Sequence, residues 1–273
     1  MKIKTIKKSV AALVLSTVFM STLTVANANN YKVFIDAGHG GRDNGSSYMD
    51  RVEDKINFQI ANKVEEKLKK LGIDVETSRE SDEYVSLRER AKKSNLSGAD
   101  VFVSIHQNSA DDTNAKGLET FYYNESDKNF AQKMQNSLLN YTNGNNRGFK
   151  KGNLQVLRDN EIPAVLVECG FISSNDEGHK LTTEEYQNKI ANGIVNGITD
   201  QLNIDKSIKT KINTNKAISL EDGVSVRSGR GCVFKAIGRL EKGQQVEVID
   251  TKFDWHKIKF DGKYGYVSSV YVK

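Results

Sequence analysis

From Tyr31 to Leu202, short apolar runs of strand length alternate with longer stretches whose apolar residues recur every four positions, and few folds accept that alternation. YKVFID reads as a strand. Ile56, Ile60, Val64 and Leu68 then mark one apolar stripe of a long helix, with Lys and Glu on the other face. IDVETS reads as a strand, Val85 to Leu96 as a helix, VFVSI and LETFYY as strands, Phe130 to Leu139 as a helix and AVLVE as a strand. Tyr186, Ile190, Ile194, Ile198 and Leu202 mark a last helix. This order predicts an α/β fold, a mostly parallel sheet flanked by helices.

Helical periodicity stops near Ile204, and residues 205–216 are polar, charged and patternless, the composition of a linker. Beyond it, over 217–273, VSVRS, QQVEVID, WHKIKF and YGYVSSVYV are punctuated by glycines, which predicts a small all-β barrel. At the other end, Lys2, Lys4, Lys7 and Lys8 precede an apolar run closed by Ala26-Asn27-Ala28, the layout of a removable secretory signal over 1–28. No other segment is apolar enough to cross a bilayer, so an exported protein without a permanent membrane anchor is expected. Residues 206–273 carry 14 Lys plus Arg against 7 Asp plus Glu, a balance of +7, which leaves −6 for residues 29–205 once the four leader lysines are set aside. Solvated surface is the expected fate of the acidic charges, and an anionic polymer is a candidate partner for the basic tail. Two cysteines, Cys169 and Cys232, one in each half, offer no disulfide framework.

In an α/β sheet, chemistry collects at the carboxyl ends of the strands. VFIDAGHGG places His39 after the first strand; Glu53 opens the first long helix, His106 follows VFVSI, and Glu168 closes AVLVE. Taken singly, His39 could cap the strand, pack or hold a metal, Glu53 could answer the positive end of its helix, and His106 could be a core histidine. Glu168 is harder to place without a partner, because a carboxylate ending so apolar a strand is partly desolvated. Together, two imidazoles and one carboxylate suit a catalytic zinc, with the remaining carboxylate free to act as a base.

The motifs DAGHGG, RVEDKIN, SIHQNSA and PAVLVECGF, in this order, resemble those of the zinc-dependent N-acetylmuramoyl-L-alanine amidases. The resemblance runs from Tyr31 to about Leu202, which makes 29–204 the expected catalytic domain, and implies a Zn2+ held by His39, Glu53 and His106, with Glu168 as catalytic acid and base. Asn108 and Arg79 are weaker candidates for lining the substrate cleft. Ala37 stands where proline is frequent, which alters no ligand, and Cys169 reads as a small buried residue rather than a nucleophile. His179 and His256 lack ligand spacing. The tail, GVSVRSGRGCVFKAIGRLEKGQQVEVI followed by WHKIKFDGKYGYV, resembles bacterial SH3-like domains, which implies peptidoglycan as its partner. Trp255, Tyr264 and Tyr266 could stack on a ligand, although aromatics in so small a barrel more often form its core. A monomeric, secreted or wall-associated hydrolase is expected, with no nucleic acid partner; a zinc peptidase acting on the stem peptide, and a wall-binding protein or adhesin without activity, are the alternatives.

Overall fold

The computed structural model describes residues 31–204 and 215–273, so the expected leader and residues 205–214 of the expected linker lie outside the described residues. The first strand, β1 (Lys32–Ala37), is buried after its first residue, as a strand covered on both faces must be. A two-residue hairpin, β2 (Ser47–Tyr48) and β3 (Arg51–Val52), leads into α1 (Glu53–Lys70). There follow β4 (Asp74–Thr77), α2 (Leu87–Leu96), β5 (Val101–Asn108), β6 (Leu118–Tyr122), α3 (Lys128–Thr142), β7 (Asn146–Lys151), α4 (Gln155–Arg158), β8 (Ala164–Phe171), α5 (Glu177–Leu181) and α6 (Glu184–Gln201).

These strands form one mixed sheet in the order β4-β1-β5-β8-β6-β7. The first four are parallel to one another; β6 runs antiparallel to β8 and carries β7 parallel to itself at the edge. The strand β7 was not apparent in the sequence, because NRGFKK has no apolar alternation and sits on an edge with only Gly148 and Phe149 half-buried. On one face, Val33, Ile35, Val103 and Ile105 pack under Ile56, Ile60, Val64 and Leu68 of α1, together with apolar residues of α3 and α6. On the other, Phe34, Phe102 and Leu166 meet Val156 and Leu157 of α4, with the Phe34 and Phe102 rings stacked at 5.9 Å. Helix α2 starts at Leu87 rather than Val85 because Ser86 and Glu89 close a capping box there.

The C-terminal part is all-β: β9 (Asn215–Ile218), β10 (Val224–Arg227), β11 (Ala236–Leu240), β12 (Gln245–Lys252), β13 (Trp255–Phe260) and β14 (Lys263–Ser268). They form a six-stranded antiparallel sheet, ordered β11-β10-β14-β13-β12-β9, around its own small core of Val226, Leu240, Ile258, Val267 and Val272. Cys169 and Cys232 are both free. Among the described residues no helix is long and apolar enough to cross a membrane.

Candidate metal centre

Because β1, β5 and β8 are parallel, their carboxyl ends open on one edge of the sheet, and the side chains singled out in the sequence meet there. His39 lies two residues past β1, His106 lies near the end of β5, and Glu168 on β8 stands directly beside His106 in the strand register. Glu53 is the first residue of α1, whose amino end points at the same edge. His39 Nε2 lies 3.3 Å and His106 Nδ1 3.0 Å from Glu53 Oε1, and the two imidazoles meet edge-on with centroids 4.9 Å apart. The three donors fall within 4.8 Å of one another, the only such group among the described residues able to hold a metal ion.

The surroundings hold each donor in place. Asp43 Oδ2 lies 2.9 Å from His39 Nδ1, which leaves Nε2 turned inward, the carboxylate–histidine relay common behind metal ligands. Glu53 accepts from the Ser46 and Gln107 amides at 2.8 and 3.1 Å and from Asn57 Nδ2 at 3.3 Å. Burial favours the neutral acid at Glu53, but His106 and His39 outweigh it and hold the carboxyl well below its usual range. The same carboxylates, Glu53 and Asp43, raise His39 to about 9 against the effect of burial. Glu53 thus lies between two rings able to carry a proton, and a divalent cation binding there would take the place of such protons.

His39 adopts a left-handed backbone, φ 61°, unusual for a residue with a Cβ. A buried arginine maintains it: Arg90 donates to the carbonyls of His39 and Ala37 at 2.7 and 2.6 Å and pairs with Asp36 at 2.7 Å. Glycine is required close by, since a Cβ on Gly38 would stand 2.3 Å from the His106 ring and one on Gly45 2.6 Å from Glu53 Oε2. Gly38→Ala is therefore expected to displace His106 and lower metal affinity by about 10- to 100-fold, the scale of disrupted ligand support. Competition titration against a chromophoric chelator measures this; an unchanged affinity would show that His106 does not depend on that close approach.

Glu168 has a different environment. Its Oε2 is buried with no hydrogen-bond partner among the described residues, and burial pushes the carboxyl up to about 7, with His106 pulling down while Glu53 and Glu119 push up. Cys169 beside it is fully buried, and desolvation raises its thiol far above the range in which a thiolate forms.

The two weaker sequence candidates for the cleft, Arg79 and Asn108, sit in different settings. Arg79 is 3% exposed and donates to the carbonyls of Ala37, Ser81 and Asp54 at 3.1, 2.9 and 2.7 Å, so it braces the His39 loop from beneath and does not line the cleft. Those carbonyls belong to a strand end, a loop and the first turn of α1, and one buried guanidinium satisfies all three at once. Asn108 is half-buried two residues past His106 and donates to Glu119 Oε1 at 2.6 Å. Glu119 itself had no distinguishing signal in LETFYY. It is paired in register with Glu168 across the antiparallel β6–β8 ladder, 3% exposed, with Lys150 Nζ at 2.5 Å and Arg147 Nε at 3.8 Å. His106, Glu168 and Glu119 thus form one row across three strands. His179 is exposed on α5, and His256 is hydrogen-bonded within the C-terminal sheet to Thr251 and the Val272 carbonyl.

A mostly parallel sheet with this donor cluster at the carboxyl edge of its parallel strands defines a class, and the match to known proteins names it. Residues 33–200 fit the N-acetylmuramoyl-L-alanine amidase family model, and the chain belongs to that family of peptidoglycan amidases. Residues 222–273 fit the bacterial SH3 domain. The chain is 39% identical over 170 residues to the uncharacterized protein YqiI of Bacillus subtilis, covering 61% of this chain and 82% of YqiI. It is 35% identical to the N-acetylmuramoyl-L-alanine amidase LytC of Bacillus subtilis, over 60% of this chain but 34% of LytC, so it spans about a third of that relative. Among solved structures, an N-acetylmuramoyl-L-alanine amidase from Clostridium difficile 630 aligns with a TM-score of 0.63 and 42% identity, covering 65% of this chain and 100% of the other. The catalytic domain of the amidase CwlV from Bacillus (Paenibacillus) polymyxa var. colistinus aligns with 0.62 and 37%, covering 64% and 99%.

Proposed function

We propose that the chain is a secreted hydrolase that cuts the amide between N-acetylmuramic acid and the L-alanine of the peptidoglycan stem. In this reading residues 1–28 direct export, 29–204 catalyse, 205–216 connect and 217–273 bind the wall. The observation that carries it is the convergence of His39, Glu53 and His106 beside Glu168, a half-buried carboxylate whose Oε2 is buried with no partner among the described residues, in a chain of this family. Two imidazole nitrogens and one carboxylate oxygen within 4.8 Å match zinc in donor type and leave a coordination position open. Bound zinc would supply Lewis acidity, polarising the amide carbonyl and lowering the pKa of a water to about 7.

The protein side of the reaction belongs to Glu168. Its carboxylate takes the proton of the attacking water and hands it to the leaving alanine nitrogen, which otherwise departs poorly as an anion; such transfers contribute about 10² to 10⁴ in rate. A raised pKa suits both directions of that transfer. Glu53 and Asp43 fix the imidazoles, and Arg90 and Arg79 hold the loop that presents His39. Chelation tests the metal: clearing of purified wall sacculi should stop in a strong chelator and return with zinc. Full clearing by metal-free protein would contradict the mechanism.

A further inference from the structure

The polar face of α1 is not the solvated surface that its composition predicts. Asn62, Glu65, Glu66 and Lys69 fall at helical spacing on one stripe, yet Asn62, Glu65 and Glu66 are 6, 1 and 6% exposed. What covers them is the C-terminal sheet. Lys257 of β13, itself 1% exposed, donates to Asn62 Oδ1 at 2.6 Å and forms an ion pair with Glu65; Tyr264 of β14 donates to Glu66. The pairing is reciprocal, since Lys69 of α1 reaches Asp250 of β12 at 2.8 Å. A second grip lies at the end of β4, where Arg230 pairs with both Glu80 and Asp250, the latter at 2.7 Å.

We propose that the SH3 domain is locked onto α1 of the catalytic domain as one body, with Lys257 in the Asn62–Glu65 notch as the bolt, instead of trailing as a freely tethered module. A buried ammonium is tolerated only with its counter-charge and hydrogen bonds in place, and among the described residues Lys257 finds both on the other domain, at Asn62 and Glu65. Burial raises Glu65, but Lys257 and Lys69 outweigh it and hold the carboxyl below its usual range. The lock uses the face that carries Tyr264 and Tyr266; Tyr266 is 1% exposed beneath the Arg230 guanidinium. Tyr266 is therefore closed to wall ligands, the half-buried Tyr264 has its hydroxyl engaged by Glu66, and wall contact falls mainly to the remaining surface of the tail. Because α1 begins at Glu53 and the bolt sits twelve residues on, about 18 Å at 1.5 Å per residue, the tail's position is fixed relative to the metal centre without covering it. This inference is independent of the reaction catalysed.

Small-angle scattering and calorimetry on the full chain test it. The wild type should give a pair-distance distribution of one compact body and a single unfolding transition. Lys257→Met and Glu65→Gln should each add a long-distance shoulder and split the transition in two. The double variant should be less affected than the two singles predict together, because neither charge is then left alone. Lys263→Met, on the exposed part of β14, should change nothing. The single tryptophan, Trp255, lies in β13, so its emission separates undocking from unfolding of the tail. A wild type that scatters as two tethered bodies, or a Lys257→Met chain indistinguishable from it with Trp255 emission unchanged, would overturn the lock.

Discussion

Glu168→Gln is expected to retain the zinc of the wild type while turnover falls by about 10² to 10⁴. The amide is close in shape to the carboxylate but cannot accept the water's proton, and Glu168 stands in the strand next to His106 rather than within the three-donor cluster. The loss should appear in kcat more than in KM, since the interaction forms as the bond breaks. A raised pKa also fixes the direction of the pH profile. The working form is ionised, so activity should fall as pH drops through the Glu168 titration, at or below the value of about 7 that burial sets, because a bound cation would pull it down. The acid limb should vanish in Glu168→Gln. Loss of zinc from this variant would instead make Glu168 a ligand and leave the base unassigned.

His106→Ala should be more severe, removing metal and activity together. Glu53 is 3% exposed and relies on His106 and His39 to stay ionised; without one ring its charge loses a partner in a buried place, so thermal stability should fall too. His39→Ala should resemble it, and it should also release Asp43, whose carboxylate rests on His39 Nδ1. Metal content by mass spectrometry and circular dichroism of each variant separate a folded, empty site from a misfolded chain. Stoichiometric zinc in folded His106→Ala would remove that residue from the ligand set.

That His39, Glu53, His106 and Glu168 could be grouped from the sequence follows from topology. Each of His39, His106 and Glu168 follows a largely apolar run, and parallel strands bring such ends to one edge whatever the detailed packing. Glu119 was not visible for the complementary reason. Its strand runs antiparallel to β8, and which of LETFYY faces the site depends on a pairing that no local pattern encodes. The setting of Arg79 was not legible because its partners are backbone carbonyls, at Ala37 42 residues upstream, and carbonyls left over at a strand end leave no trace in side-chain spacing. The polar stripe of α1 shows the same limit: amphipathicity identifies the apolar face toward the core but cannot tell water from a second domain on the other.

The central claim concerns which bond is cut, and product chemistry tests it most directly. Purified muropeptides digested by the zinc-loaded protein should yield a new free amine on L-alanine together with intact muramic acid, both identified by mass spectrometry. A new amine on any other stem residue would make the protein a peptidase working through the same metal site, and that result would contradict the account.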